Sequence, residues 1–153
     1  MAEPLVVFRD VEKRFGDFVA VKRMNFEIYR GEFLALMGPS GCGKTTTLRM
    51  LAGLERPSEG DIQLEGKSLL DVKPHERDTP MVWQSLALFP FLNVRQNVEF
   101  GLKMRGQDAV SRRRKALDWI DRLGIGEFAE RDVNSLSGGQ RQRVALARAL
   151  LTE

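Results

Sequence analysis

Phe33-Leu34-Ala35-Leu36-Met37-Gly38-Pro39-Ser40-Gly41-Cys42-Gly43-Lys44-Thr45-Thr46 is the stretch on which the reading of the whole chain turns. Its first five residues are apolar without interruption and are bounded by Gly31 and Gly38, the pattern of a strand buried on both faces of a parallel sheet. Gly38 to Thr45 then fits G-x-x-x-x-G-K-[ST]. Residues 44–53, with Leu48, Met50 and Leu51 ahead of a break at Gly53 and Pro57, read as a helix. Strand, glycine-rich loop and helix in immediate succession make a phosphate cradle. The glycines let the loop wrap so that successive N–H groups point inward, and the helix start adds the positive end of its dipole. In that reading Lys44 reaches the β- and γ-phosphates and the Thr45 hydroxyl is a ligand of Mg²⁺, while Gly38, Ser40, Gly41, Cys42, Gly43 and Thr46 complete the loop. At average glycine usage a chance match in a chain this long is roughly one in two hundred.

Working outward, Met24-Asn25-Phe26-Glu27-Ile28-Tyr29 alternates apolar and polar like a half-buried strand, and Arg30-Gly31-Glu32 supplies a turn. Residues 61–66 alternate again and predict a short strand ending in a turn, whereas residues 75–80 read as loop. Beyond about residue 93 the pattern is helical, over 94–104, then 111–123 with Leu117, Ile120 and Leu123 at helical spacing, then 137–151. A β-rich first half and a helical second half, with no repeat or low-complexity linker, place a boundary near Gln84 to Pro90. The last helix opens on Leu136-Ser137-Gly138-Gly139-Gln140, where Ser137 is a good N-cap and Gln140 completes a capping box. Two glycines in a first turn cost helix stability, and what they provide is N–H groups that an anion can approach closely. A second phosphate site is expected there.

The composition excludes several classes. With 153 residues, 42% hydrophobic and 29% charged, the chain is globular and is one domain or part of a larger one. Its longest apolar run, residues 86–92, contains Pro90 and falls far short of a membrane span. Glu3, Arg9, Asp10, Glu12, Lys13 and Arg14 leave no room for the apolar core of a secretory leader, so a cytoplasmic location is expected. One cysteine, Cys42, and one histidine, His75, supply neither an internal disulfide nor a structural metal site. The net charge of +3 comes from 24 basic against 21 acidic residues, close to balance. The run Arg112-Arg113-Arg114-Lys115 has no interleaved aromatics, reads as a solvated helix face, and gives no reason to expect a nucleic-acid partner. His75 reads as a surface residue, and Cys42 as a small filler of the loop with no base nearby in sequence.

The order of the phosphate loop, then Gln84 within Val82-Trp83-Gln84-Ser85, then Leu136-Ser137-Gly138-Gly139-Gln140-Arg141-Gln142-Arg143, resembles the ATP-binding subunits of ABC transporters. The resemblance runs from about Leu5 onward, and the pentapeptide is the family's signature. Ala87-Leu88-Phe89-Pro90 and Glu99-Phe100-Gly101-Leu102 look like the importer branch, which takes up polyamines, sugars, iron or other small solutes. The resemblance implies an α/β fold of the P-loop NTPase (RecA-like) type: an ABC ATPase core with an N-terminal antiparallel β subdomain and an α-helical subdomain, divided here as 1–84, 85–136 and 137–153. It further implies ATP and Mg²⁺, with the nucleotide held between two such subunits arranged head to tail, and membrane-spanning permease subunits as partners at the inner face of the cell membrane. Ser137 and the N–H groups of Gly138 and Gly139, with Gln140, would grip the γ-phosphate bound by the partner copy. Gln84 would sense that phosphate through Mg²⁺ or the attacking water. Phe15 would stack on adenine, a place where tyrosine is commoner but phenylalanine keeps the π-face.

Family members continue past the signature helix into an apolar strand ending in Asp-Glu and later a switch histidine. The sequence ends at Glu153, and neither Asp71 nor His75 stands in the right order to substitute. The 153 residues are therefore expected to lack the C-terminal part of the core, to bind ATP weakly and to hydrolyse it negligibly on their own, since general base catalysis alone is worth about 10²–10⁴ in rate. Two other readings stand beside the importer subunit: a soluble ABC-type ATPase acting on nucleic acid or ribosomes, and a non-catalytic nucleotide-binding fragment.

Overall fold

A computed structural model describes residues 3–151, which fold as two compact units divided between Thr79 and Pro80, a few residues ahead of the stretch where the composition shifts. The first unit is a four-stranded antiparallel sheet carrying one helix. Strands β1 (Pro4–Phe15) and β2 (Phe18–Tyr29) form a hairpin that closes at the Phe15–Phe18 pair, β3 (Glu59–Leu64) lies on the other side of β1, and β4 (Lys67–Ser68) completes the order β2-β1-β3-β4. The turn between β3 and β4 is Glu65-Gly66, both with positive φ, the two-residue connection whose twist matches that of the strands it joins. Inward-facing Val6, Phe8, Val11, Val21 and Ile62 meet Met50 of helix α1 (Lys44–Leu51), and Phe8 stacks on Phe26 with ring centroids 4.3 Å apart.

Residues 33–37 do not form the predicted strand. They run as irregular backbone, with Phe33 94% and Met37 89% exposed. An apolar run makes a strand only where a neighbour supplies its ladder of hydrogen bonds, and among the described residues every paired strand belongs to the antiparallel sheet. The helix that the same stretch predicts is present, beginning at Lys44.

The C-terminal end of α1 is held by a residue from the loop beyond β4. Arg77 donates through Nη1 to the carbonyls of Met50 and Leu51 (both 2.9 Å), through Nε to Val72 (2.9 Å) and through Nη2 to Leu69 (2.5 Å). Thr79 Oγ1 adds a bond to the Leu51 carbonyl at 3.2 Å. A helix end leaves its last carbonyls without intrahelical donors, and here a guanidinium supplies them. Gly53 makes the room: a Cβ there would lie 2.6 Å from Arg77 Nε. Burial lowers the arginine's pKa, which still leaves it charged.

The second unit is helical. Helices α2 (Val94–Met104), α3 (Ala109–Arg122) and α4 (Gly138–Leu150) pack Val94, Val98 and Leu102 against Ala116 and Ile120 and against Val144, Ala147 and Leu151. The two helices that precede the signature have side-chain caps: Asn93 forms a capping box with Gln96, and Asp108 accepts from Val110 and Ser111 N–H. An ion-pair network ties the unit's surface. Arg95 bonds Glu99 at 2.8 Å and Glu130 at 2.6 Å, Arg112 lies 3.7 Å from Glu99, and Arg113 3.7 Å from Glu130. The basic run on α3 is thus only partly a solvated face, because its first two arginines have partners within the unit. The hydrogen bond from Arg95 holds the Glu130 carboxyl below its ordinary pKa and raises that of the arginine.

Arg77→Ala removes one donor from each of four carbonyls and should lower the stability of the first unit by about 2–3 kcal/mol in urea denaturation. Arg77→Lys should recover only part of this, since one ammonium cannot fork to four carbonyls on two segments; full recovery would show that charge alone matters. Glu130→Gln should cost less than about 1 kcal/mol at neutral pH, its carboxylate being more than half exposed. A depressed carboxyl pKa contributes stability above its unfolded value and loses it as pH falls through the folded one, so the gap between the variant and its parent should close below about pH 4.

Candidate functional site

The loop between residues 38 and 46 is shaped by glycines whose geometry is set from two directions. Gly43 has φ +91°, and a Cβ there would stand 2.5 Å from the Ala20 carbonyl and 2.9 Å from Val21 Cγ2, so the backbone lies directly on β2. Gly38, at φ +153°, faces Cys42 Sγ, which a Cβ would meet at 2.6 Å. The cysteine therefore fills the loop, as its sequence context suggests. Lys44 arches back over the turn: its Nζ donates to the carbonyls of Gly38 and Pro39, both at 2.7 Å, and lies 3.4 Å from Cys42 Sγ. Thr47 is buried and its Oγ1 donates to the Gly43 carbonyl at 2.9 Å, fastening the helix start to the loop.

The start of α1 differs from those of α2, α3 and α4. Its N-cap is Gly43, and no side chain accepts from its first N–H groups. The N–H groups of Lys44, Thr45 and Thr46 have no acceptor four residues back within the helix. Three inward donors, a dipole end and an ammonium, with Thr45 exposed beside them, are a donor set suited to a polyphosphate and unsuited to a neutral ligand. Phe15 lies in the same unit, at the end of β1. Its ring is 48% exposed and has Lys13 Nζ 4.8 Å from its centroid.

The remaining candidates are in the second unit. The expected capping box at the start of α4 is formed: Ser137 Oγ accepts from Gln140 N–H at 3.3 Å and Gln140 Oε1 accepts from Ser137 N–H at 2.8 Å. The box leaves the two glycines between unexplained, because a Cβ on Gly138 or Gly139 would meet nothing within 4 Å and neither has a left-handed φ. Nothing among the described residues requires glycine at either position. Gln84 is exposed at a corner of the turn closed by the Leu86 N–H on the Trp83 carbonyl at 2.8 Å. It lines a groove of about 420 Å³ together with Ser85, Asn134, Gly138 and Gln142, so the structure brings Gln84 and the start of α4 to one surface.

Three residues that shape this surface were not singled out from the sequence. Asn97, fully buried on α2, accepts from Phe89 N–H at 2.8 Å and donates to the carbonyls of Phe89, Leu92 and Asn93 at 2.9–3.1 Å. Asn134 donates to the Pro90 carbonyl at 3.1 Å, and Arg148 to the carbonyls of Leu86 and Ala87 at 2.8 and 2.7 Å. A signal was available for two of them. Asn97 lies three residues after Val94, and Arg148 four after Val144, each a polar residue on the apolar stripe of its helix.

The family model described as "ABC transporter" matches residues 21–153. Among similar proteins, the "Spermidine/putrescine import ATP-binding protein PotA" of Rubrobacter xylanophilus is 49% identical over 95% of this chain and 39% of its own length. The "sn-glycerol-3-phosphate import ATP-binding protein UgpC 3" of Rhizobium johnstonii is 46% identical over 94% of this chain and 41% of its own. The "Fe(3+) ions import ATP-binding protein FbpC" of Photorhabdus laumondii is 44% identical over 95% and 42%. The chain thus spans about two-fifths of the length of these relatives. A solved dimeric structure of a post-hydrolysis state of the ATP-binding cassette MJ0796, bound to ADP and Pi, superposes with a TM-score of 0.85 at 34% identity, covering 96% of this chain and 69% of that one.

The glycines of the two helix starts should respond in opposite ways to alanine. Gly43→Ala meets the β2 backbone in a left-handed conformation and should cost about 1–3 kcal/mol of stability. Gly139→Ala has open space and a helical φ, and should leave stability unchanged or raise it by about 0.5–1 kcal/mol. Thermal denaturation of the two variants checks the contrast, and a large loss for Gly139→Ala would show that its space is not open.

Proposed function

The chain belongs to the ABC transporter family, and we propose that it is the nucleotide-binding part of an importer subunit that couples ATP binding and hydrolysis to uptake of a small solute. The observation that carries this reading is the start of α1, where a glycine-shaped loop leaves the first-turn donors uncapped and Lys44 folds back over the loop onto the carbonyls of Gly38 and Pro39. The loop fits a triphosphate by charge and by donor count. Lys44 would neutralise β- and γ-phosphate oxygens, the N–H groups of residues 41–46 would bind them, and Ser40 would line the loop mouth. The Thr45 hydroxyl would be a ligand of Mg²⁺, which when bound supplies positive charge to the phosphates being separated. Phe15 offers a π-face to adenine, with Lys13 close to the ring.

Ser137, Gly138, Gly139 and Gln140 would act across a head-to-tail dimer on the nucleotide of a second copy. The open space over both glycines supports this, because a residue type that weakens a helix with no gain inside its own chain is explained by a close approach from outside it. The partners are then a second ATP-binding subunit and membrane-spanning permease subunits, with the protein peripheral on the inner face of the cell membrane; among the described residues no helix is long and apolar enough to cross it. Relatives named for import of spermidine and putrescine, of glycerol phosphate and of ferric iron support a small polar or charged molecule as the transported solute.

In the complete protein, Lys44→Ala should weaken Mg-ATP binding by at least about 100-fold, by titration of a fluorescent ATP analogue, through loss of a charge-assisted contact in a confined site. Unchanged affinity would remove the phosphate-loop assignment. Gly139→Ala should keep the monomer's affinity and abolish ATP-driven dimerisation in sedimentation. A fall in monomer affinity instead would mean that the signature does not act on a partner's nucleotide.

A further inference from the structure

The segment from Leu86 to Asn93 has no regular structure, yet side chains from three elements bond its carbonyls, and one of these links joins Gln84 to the signature helix. Leu86 and Ala87 have φ of +63° and +45°, two successive non-glycine residues in the left-handed region, which an unsupported loop would leave. Each turns its carbonyl to the guanidinium of Arg148, at 2.8 and 2.7 Å. The same guanidinium lies 5.5 Å from the ring centroid of Phe89, which packs on Phe100 with centroids 4.4 Å apart. The N–H of Leu86 closes the turn on which Gln84 sits. A single residue thus bonds Gln84's turn through its N–H and α4 through its carbonyl.

We infer that Arg148 is a positioning residue for the ATPase reaction: by holding Leu86 and Ala87 against α4 it makes the turn bearing Gln84 and the Ser137-Gly138-Gly139 helix start move as one body. Arg148 lies ten residues along α4 from Gly138, a distance of about 15 Å at the helical rise, so the helix is a short rigid lever with a phosphate-binding end and a loop-holding end. A lysine could reach one carbonyl with its charge but not fork to both. Glycine at position 87 would occupy the left-handed region without help. This role rests on the proposed ATPase function and adds to it the side chain that couples its two γ-phosphate contacts.

The test uses the complete ATPase with the variants Arg148→Ala, Arg148→Lys and Arg148→Ala combined with Ala87→Gly, and with Lys44→Ala as a reference. The phosphate loop belongs to the other unit, so Arg148→Ala should keep ATP affinity and KM within about 2-fold while kcat falls by at least about 10-fold. Arg148→Lys should recover part of kcat, and Ala87→Gly should restore part of it to the alanine variant. A parental kcat in Arg148→Ala overturns the proposal. So do equal losses of kcat and affinity that Ala87→Gly does not relieve, which would make the arginine a packing residue. Should Arg148→Ala fail to fold, Arg148→Lys decides in its place: a lower kcat at unchanged affinity supports the role, and a parental kcat overturns it. If Lys44→Ala retains full ATP affinity the ATPase reading itself fails, whereas loss of affinity there with a parental kcat in Arg148→Ala removes only the role given to Arg148.

Discussion

Backbone polar groups outside a helix or strand must still find partners, and the way this chain meets that requirement organises everything else in it. Its loose carbonyls are bonded by its own side chains: Arg77 collects four, Asn97 three and Arg148 two. The N–H groups in the first turn of α1 receive no such attention. The asymmetry is chemical, because a guanidinium donates only and suits carbonyls, whereas a helix start is satisfied by the carboxylate, hydroxyl or amide oxygen of a short side chain. Asn93 and Asp108 provide them at α2 and α3, and Gly43 declines to at α1.

Long irregular segments can therefore be rigid here without being regular. The turn bearing Gln84 and the residues after it follow no helical or strand period, but their course is fixed by bonds from α2, α4 and the turn at Val133–Ser135. Such a segment differs from a regular element in one functional respect. Its geometry depends on a few side chains rather than on a ladder, so a displacement of one of those side chains displaces the segment as a whole.

How much of this was legible in the sequence follows from the range of the forces involved. The helices over 94–104, 111–123 and 137–151 are legible within a few residues because apolar periodicity and the Ser137 cap are local signals. The phosphate loop was legible for the same reason, its glycines and lysine lying within eight residues. The failure at residues 33–37 was of the other kind. Strand formation is decided by a partner at a distance along the chain, and five apolar residues carry no information on whether that partner is beside them. Arg77 was invisible too, since it follows no period and its acceptors come from two segments, the end of α1 and the turn at Leu69–Val72. Asn97 and Arg148 lay between these cases: each interrupts an apolar stripe, which marks a buried polar group but does not name its acceptor.

The glycines divide by the same logic of what lies near them. At Gly43 and Gly53 a side chain would strike β2 or Arg77, so internal packing accounts for the residue. At Gly138 and Gly139 the space is empty and the backbone helical, so packing accounts for nothing, and the helix bears a propensity cost of about 1 kcal/mol for each. The Ser137–Gln140 capping box offsets part of that cost while leaving the two N–H groups between its members facing outward. A helix start that is stabilised at its flanks and bare at its centre is suited to an anion brought by another molecule, in contrast to α1, where a lysine of the same loop already stands beside the uncapped end.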